Sequence, residues 1–199
     1  MSSEIKANKW SPATGTAATL GDSGDTFTIP AGATIANSGT ATGFGGDNTP
    51  AFMAYMTSGM TPSSNTWTKV TCATEVFDSD SAYDNSTNYR FTVPAGEGGK
   101  YYVYGSITMY TGGYAQMVEA VASIYLNGAQ SATTLSSYFA PTTNYGYGET
   151  PAVHGVMNLS ASDYIELWGS CATSSGTPTF AGTTSYVRTY FGAHKLIGV

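Results

Sequence analysis

Tyr101-Tyr102-Val103-Tyr104-Gly105-Ser106-Ile107-Thr108-Met109 alternates with a period of two. Tyr101, Val103, Ile107 and Met109 fall on one face, and Tyr102, Tyr104, Ser106 and Thr108 on the other. Successive side chains of a β-strand point to opposite faces, so this stretch predicts a strand packed on one side. The same rule recurs outward from it. Ala122, Ile124 and Leu126 alternate against Ser123, Tyr125 and Asn127, and Asn127-Gly128 offers a tight hairpin turn. Ile165 and Leu167 alternate with Tyr164, Glu166 and Trp168, and Val187, Thr189 and Phe191 with Tyr186, Arg188 and Tyr190. Short strands separated by Gly, Asn, Asp and Pro turns predict an all-β antiparallel sandwich. One segment competes: Tyr114, Met117, Val118 and Val121 also fit a helical stripe. It is flanked by Gly112-Gly113 and runs into the Ile124 strand, so the strand reading is preferred.

Composition narrows the function. Of 199 residues, 41% are hydrophobic, 13% aromatic and only 10% charged, where an ordinary globular chain carries about 25%. The aromatic content argues against disorder, which goes with high charge and few rings. Seven basic against thirteen acidic residues give a net charge of −6. A nucleic-acid partner needs a dense basic surface to displace phosphate counterions, so that class is excluded. No stretch approaches about 18 apolar residues, so no membrane-spanning helix is expected. The opening Met1-Ser2-Ser3-Glu4-Ile5-Lys6 lacks the apolar core of a signal peptide, and the expectation is synthesis and assembly in a cytoplasm. In that setting Cys72 and Cys171 read as two buried thiols rather than a disulfide.

The boundary falls near Gly43-Phe44-Gly45-Gly46-Asp47-Asn48, dividing residues 1–46 from a β-domain at 47–199. Between Trp10 and that boundary, small residues dominate, with turns at Gly21-Asp22, Pro30-Ala31-Gly32 and Ser38-Gly39. Phe27 with Ile29, and Ala33 with Ile35, alternate in bursts too short to bury a core of their own. Two readings stay open: a flexible extended linker, or a thin β-structured shaft made by several copies wrapped together.

Tyr83-Asp84-Asn85-Ser86-Thr87-Asn88-Tyr89-Arg90-Phe91-Thr92-Val93-Pro94 leads through Ala95-Gly96-Glu97-Gly98-Gly99 to Lys100-Tyr101-Tyr102-Val103. With Pro50-Ala51-Phe52-Met53-Ala54, Ile124-Tyr125-Leu126-Asn127-Gly128, Ser162-Asp163-Tyr164-Ile165 and Ser185 through Ile197, this order resembles the jelly-roll heads of the tumour necrosis factor superfamily. The likeness is to the globular head of the first complement component's q subunit in particular, and it covers about 150 residues. It implies a ten-stranded jelly roll assembled as a homotrimer. Asn88 and Ser162 stand where the family has Gly, and Glu97-Gly98 is an insertion. The first 46 residues, with Ser11-Pro12-Ala13-Thr14-Gly15-Thr16 and Gly21 through Ile35, resemble the starts of marine bacteriophage tail-fibre proteins.

Catalytic patterns are thin. His154 and His194 are the only histidines, no second metal-spaced His accompanies either, and no HExxH, CxxC or nucleophile-elbow motif occurs. The bland reading of each imidazole is a hydrogen bond near a strand end, and no enzyme is expected. Asp78, Asp80 and Asp84 form the densest acidic run and are the candidate ligands should Ca²⁺ bind. A solvated turn is the competing reading, since the twelfth loop position counted from Asp78 is Tyr89. Otherwise no cofactor is expected.

The tyrosines carry more. Tyr110, Tyr114, Tyr138, Phe139, Tyr145 and Tyr147 lie in Gly-, Ser- and Asn-rich stretches, the composition of adaptable binding loops. They are the receptor-binding candidates. Tyr102, Tyr104 and Tyr190 are assigned to the trimer interface, with Arg188 and Glu166 able to pair across subunits. The expectation is a virion protein: a trimeric tail fibre, tied to other virion proteins through residues 1–46, whose head binds a host-surface glycan or protein. A capsid decoration or head-fibre protein is the alternative, and a polysaccharide-degrading enzyme a weaker one.

Overall fold

A computed structural model describes residues 11, 14–17, 19, 21–36, 48–112, 117–139 and 147–197, and residues 132–139 by backbone alone. The chain divides into two units, Met1–Thr42 and Gly43–Val199, each taken by itself below.

In the first unit the described residues are punctuated by turns and contain no strand. Asp25 N–H donates to Asp22 O and Ala33 N–H to Pro30 O. Phe27, Ile29 and Ile35 are exposed. Among the described residues of this unit the short apolar bursts have no second strand to pair with in one copy of the chain.

The second unit is an antiparallel β-sandwich of jelly-roll type without helix among the described residues. Its strands are β1 (Ala51–Tyr55), β2 (Thr68–Lys69), β3 (Thr74–Asp78), β4 (Tyr83–Asp84), β5 (Arg90–Thr92), β6 (Gly99–Ser106), β7 (Met109–Tyr110) and β8 (Met117–Leu126). They continue as β9 (Ala129–Phe139), β10 (Gly148–Glu149), β11 (Ala152–Leu159), β12 (Tyr164–Thr173), β13 (Thr179–Phe180) and β14 (Tyr190–Lys195). One sheet has the order β11-β6-β14-β1-β3; the other runs β4-β5-β12-β8-β9, with β2 also paired to β12. A small sheet, β10-β7-β13, lies beside them. Val118 and Val121 belong to the long strand β8, so the helical alternative fails from Met117 onward.

The predicted alternation is what fills the core. Tyr101, Val103, Ile107 and Met109 are buried, as are Ile124, Ile165, Leu167 and Phe191. Val187 is the exception and is exposed, because it precedes β14 rather than lying in it. The two sheets meet over Phe52. Its ring stacks on Tyr83 at 4.7 Å and on Phe91 at 4.9 Å, and meets Phe191 edge-on at 5.0 Å. Burying each such side chain is worth about 1.5–3 kcal/mol. The polar ends of the buried tyrosines are satisfied: Tyr83 OH donates to Cys72 O at 3.0 Å and Tyr101 OH to Glu97 O at 2.6 Å. Cys72 and Cys171 are both free and buried, as expected.

Turn geometry bears on two of the three departures from the pattern that the sequence resembles. Asn127 and Gly128 both have positive φ (51° and 80°) and close the β8–β9 hairpin. Ser162 has φ 73°, a conformation that favours Gly and is held here by local bonds. Ser160 N–H donates to Asp163 Oδ2, and Asn127 Nδ2–H to Asp163 Oδ1. Near Asn88 the left-handed residue is its neighbour Tyr89 (φ 49°).

Register fixes the ends of the sandwich. The chain enters β1 at Ala51, opposite His194, and Lys195 pairs with Tyr101. Tyr55, Tyr190 and Ser106 lie together at the other end.

Candidate functional site

That second end, away from the incoming chain, carries the small sheet. Thr108 is fixed there by the backbone: its N–H donates to Thr189 Oγ1 at 3.1 Å, and its carbonyl accepts from Ala181 N–H at 2.8 Å. β10 lies tight against β7 because residue 148 is glycine. A Cβ there would stand 3.0 Å from Met109 O and 3.2 Å from Tyr110 Cβ. This approach, with Thr111 N–H donating to Tyr147 O, sets Tyr147 beside Tyr110. Their rings are nearly parallel (21°) with centroids 6.3 Å apart. Around them Thr108, Glu149, Thr150 and Arg188 complete an open groove of about 490 Å³. Arg188 donates to Tyr186 OH and lies 4.8 Å from the centre of that ring. The ring holds the guanidinium in place without neutralising it.

Two of the six receptor-binding candidates, Tyr110 and Tyr147, are therefore brought together. Tyr138 and Phe139 lie in β9, opposite Ala120 and Glu119. Tyr114 and Tyr145 fall outside the described residues. Glu149, Thr108, Thr150 and Arg188 were not among the candidates. Only register could have found them, since residues 108–110, 147–150 and 188 are far apart in sequence.

Tyr102, Tyr104 and Tyr190 share the outer face of β11-β6-β14-β1, the face turned away from the core. Their rings run in series: Tyr190 to Tyr104 at 6.3 Å, then Tyr104 to Tyr102 at 5.9 Å. Burial among these rings raises the Tyr104 hydroxyl above its ordinary pKa, with Tyr190 and Tyr102 adding to the effect. Gly192 lets the Tyr104 ring lie flat across β14. Both histidines join this face, His194 at 5.6 Å and His154 at 6.3 Å from the Tyr102 ring. His194, one residue before the end of β14, and His154, third in β11, thus lie near strand ends on an aromatic sheet face. Val156, on β11 opposite Tyr102, is 55% exposed, and Phe77, on β3 opposite Met53, is 47% exposed.

Glu166 does not belong to that face, which corrects its expected pairing with Arg188. It is buried on β12 in the other sheet, with Lys69 Nζ at 2.6 Å and Trp168 Nε1–H donating to it at 3.0 Å. Trp168 stacks on Tyr125 at 4.6 Å, and Trp67 tilts against Tyr125 at 5.8 Å. The Glu166 side of the ion pair is buried, while the Lys69 side chain stays 30% exposed.

The acidic run is spent on turns. Asp78 Oδ2 accepts from Tyr83 N–H, and Asp78 Oδ1 from Asp80 N–H. Ser79 Oγ–H donates to Asp80. Asp84 accepts from the N–H groups of Thr87, Ser86 and Asn88 and from Asn88 Nδ2, and these bonds hold its carboxyl well below the usual range. Among the described residues no three His, Cys, Asp or Glu side chains are grouped to hold a metal ion.

No protein-family model matches the chain, and no curated protein sequence matches it. Solved structures do. The Eiger tumour necrosis factor of S. frugiperda shares 11% identity at a TM-score of 0.53, over 73% of this chain and 91% of that one. The globular domain of zebrafish complement 1qA shares 13% at 0.49, over 74% and 97%. Murine APRIL shares 14% at 0.49, over 73% and 98%. At such identities the likeness is one of fold: residues of the second unit form a jelly roll of the tumour necrosis factor type.

Proposed function

We propose that this chain is a homotrimeric virion fibre protein whose jelly-roll head attaches the particle to a host-surface molecule. The observation that carries the reading is the polarity of the head. The chain enters at Ala51, and the Tyr110–Tyr147 groove opens at the opposite end, where a fibre would present it outward. Trimer assembly is supported by the outer face of Tyr102, Tyr104, Tyr190 and Val156, which one chain leaves uncovered and without a charged side chain among these residues. Contiguous apolar patches of this kind mark interaction surfaces. Residues 1–46 would join the head to other virion proteins. Three identical weak sites on one fibre, and several fibres on one particle, would multiply affinity by effective concentration rather than by tight single contacts.

The test uses the purified full-length chain. The expected result is a trimer by sedimentation that binds host cells and competes with particle adsorption. A trimer that does neither removes the adhesion reading, and imaging of whole particles that places the chain on the capsid shell would move it from tail fibre to decoration protein.

A further inference from the structure

We infer that the groove between β7 and β10 is a binding site for a neutral pyranose, so that the surface molecule recognised is a glycan. The inference rests on the adhesion reading and specifies its ligand. A pyranose has a rigid ring with apolar C–H faces and a rim of hydroxyls that both donate and accept. The groove offers the complement of each. Tyr110 and Tyr147 supply ring faces, near parallel and with Tyr147 46% exposed. Glu149 supplies a carboxylate that accepts from two hydroxyls, and Arg188 a fork of N–H donors. Thr108 and Thr150 add hydroxyls, joined to each other at 3.3 Å and rigid because Thr108 is held on three sides.

The charges decide between ligand classes. Glu149 and Arg188 line the same groove, yet among the described residues neither has an ion-pair partner, and they are not paired with each other. A phosphate or an acidic sugar would meet Arg188 but be repelled by Glu149, in a chain of net charge −6. A neutral polyol donates hydroxyls to the carboxylate and accepts from the guanidinium, and is repelled by neither. The volume of about 490 Å³ falls within the range of small-ligand sites, about 300–1,000 Å³, and leaves room for more than one sugar ring.

The experiment measures saturation-transfer NMR on the full-length chain with methyl glycosides of glucose, galactose, mannose and N-acetylglucosamine. In parallel, binding to host cells is measured before and after periodate, which cleaves vicinal diols, and after protease. Transfer from at least one glycoside and loss of cell binding after periodate are expected. Tyr147→Ala and Glu149→Gln should each weaken binding about tenfold, or about 1.4 kcal/mol, while Tyr147→Phe retains it and all three variants sediment as the wild type does. If cells are bound but binding survives periodate, is lost to protease and is indifferent to Tyr147→Ala, the glycan inference is overturned and adhesion stands. If a glycoside transfers and Glu149→Gln abolishes the transfer while no cell is bound, the sugar site stands and the adhesion reading falls. No transfer from any glycoside together with periodate-resistant binding overturns the site.

Discussion

The assembly reading can be tested at a single hydrogen atom of Gly192. A Cβ added there would stand 2.5 Å from both Cζ and Oη of Tyr104 and 2.8 Å from Cε2. Carbon contacts settle at about 3.5–4.0 Å, so in Gly192→Ala the Tyr104 ring must slide by about 1 Å. In a single protomer the ring is the far end of a half-buried side chain on an open face, and leaving its rotamer costs about 0.5–1.5 kcal/mol. In a trimer that packs this face, the ring has nowhere to go, and overpacking costs about 1–3 kcal/mol per protomer. Net of the cost already borne by the free protomers, three protomers together lose about 1.5–4.5 kcal/mol, and each 1.4 kcal/mol is a factor of ten, so dissociation should strengthen at least about tenfold. Sedimentation velocity over a dilution series reads this directly, and near-ultraviolet circular dichroism reports whether the protomer stays folded. Gly192→Ala is expected to dissociate at concentrations where the wild type is trimeric, with its folded signal retained. Gly192→Ala/Tyr104→Ala should recover part of the loss, since the two residues touch and their effects cannot add. A Gly192→Ala chain that assembles at wild-type concentrations would show that Tyr104 is not packed between subunits.

Three further outcomes follow from the head itself. Lys69→Met leaves the Glu166 carboxylate buried with, among the described residues, the Trp168 donor alone, and should cost about 2–4 kcal/mol in urea unfolding, discounted because the Lys69 side chain is 30% exposed; a loss below about 1 kcal/mol would mean the pair is solvated. Asp84 is held below its ordinary pKa by the amides of Thr87 and Ser86, so its contribution is present above the unfolded carboxylate value of about 3.9 and is lost as pH falls below it. The stability gap between wild type and Asp84→Asn should therefore narrow from pH 7 to about pH 2.5, and a constant gap would contradict the hydrogen-bonded turn. Burial raises both thiols, Cys171 to about 11 and Cys72 further, so a disulfide-exchange reagent at neutral pH should label neither in the folded chain and both after denaturation; rapid labelling of the native protein would count against the core as described.

The fold was legible because a strand writes its burial into alternate residues, and here the alternation is clean. Tyr101 and Val103 go inward while Tyr102 and Tyr104 go outward, and one turn pair, Asn127-Gly128, fixes the register of the longest hairpin. The site was legible only in part. Tyr110 and Tyr147 stood out by composition, but Glu149 and Arg188 reach them only through the pairing of β7 with β10 and the route of the chain back from β13 to β14. Glu166 misled for a related reason. Its position in an alternating strand marked it as outward-facing, as it is, but nothing local announced that Lys69, Trp168 and Tyr125 would close over it.

The scarcity of charge acquires a structural reason from where the uncharged residues lie. On a face that meets copies of itself around an axis, any ionised side chain is brought toward its own duplicates, and like charges drawn from water at short range repel strongly. The face carrying Val156, Tyr102, Tyr104, Tyr190 and Met53 is filled by rings, aliphatic groups and two imidazoles, and the charge it does carry, exposed Lys100, sits at its margin near the start of β6. Phe27, Ile29 and Ile35 in the first unit meet the same condition: apolar, exposed in one chain, and set among residues small enough for close approach of a second and a third. Each unit, considered alone, leaves apolar side chains that a single copy does not bury, and the proposed self-association would cover both sets without requiring any new partner.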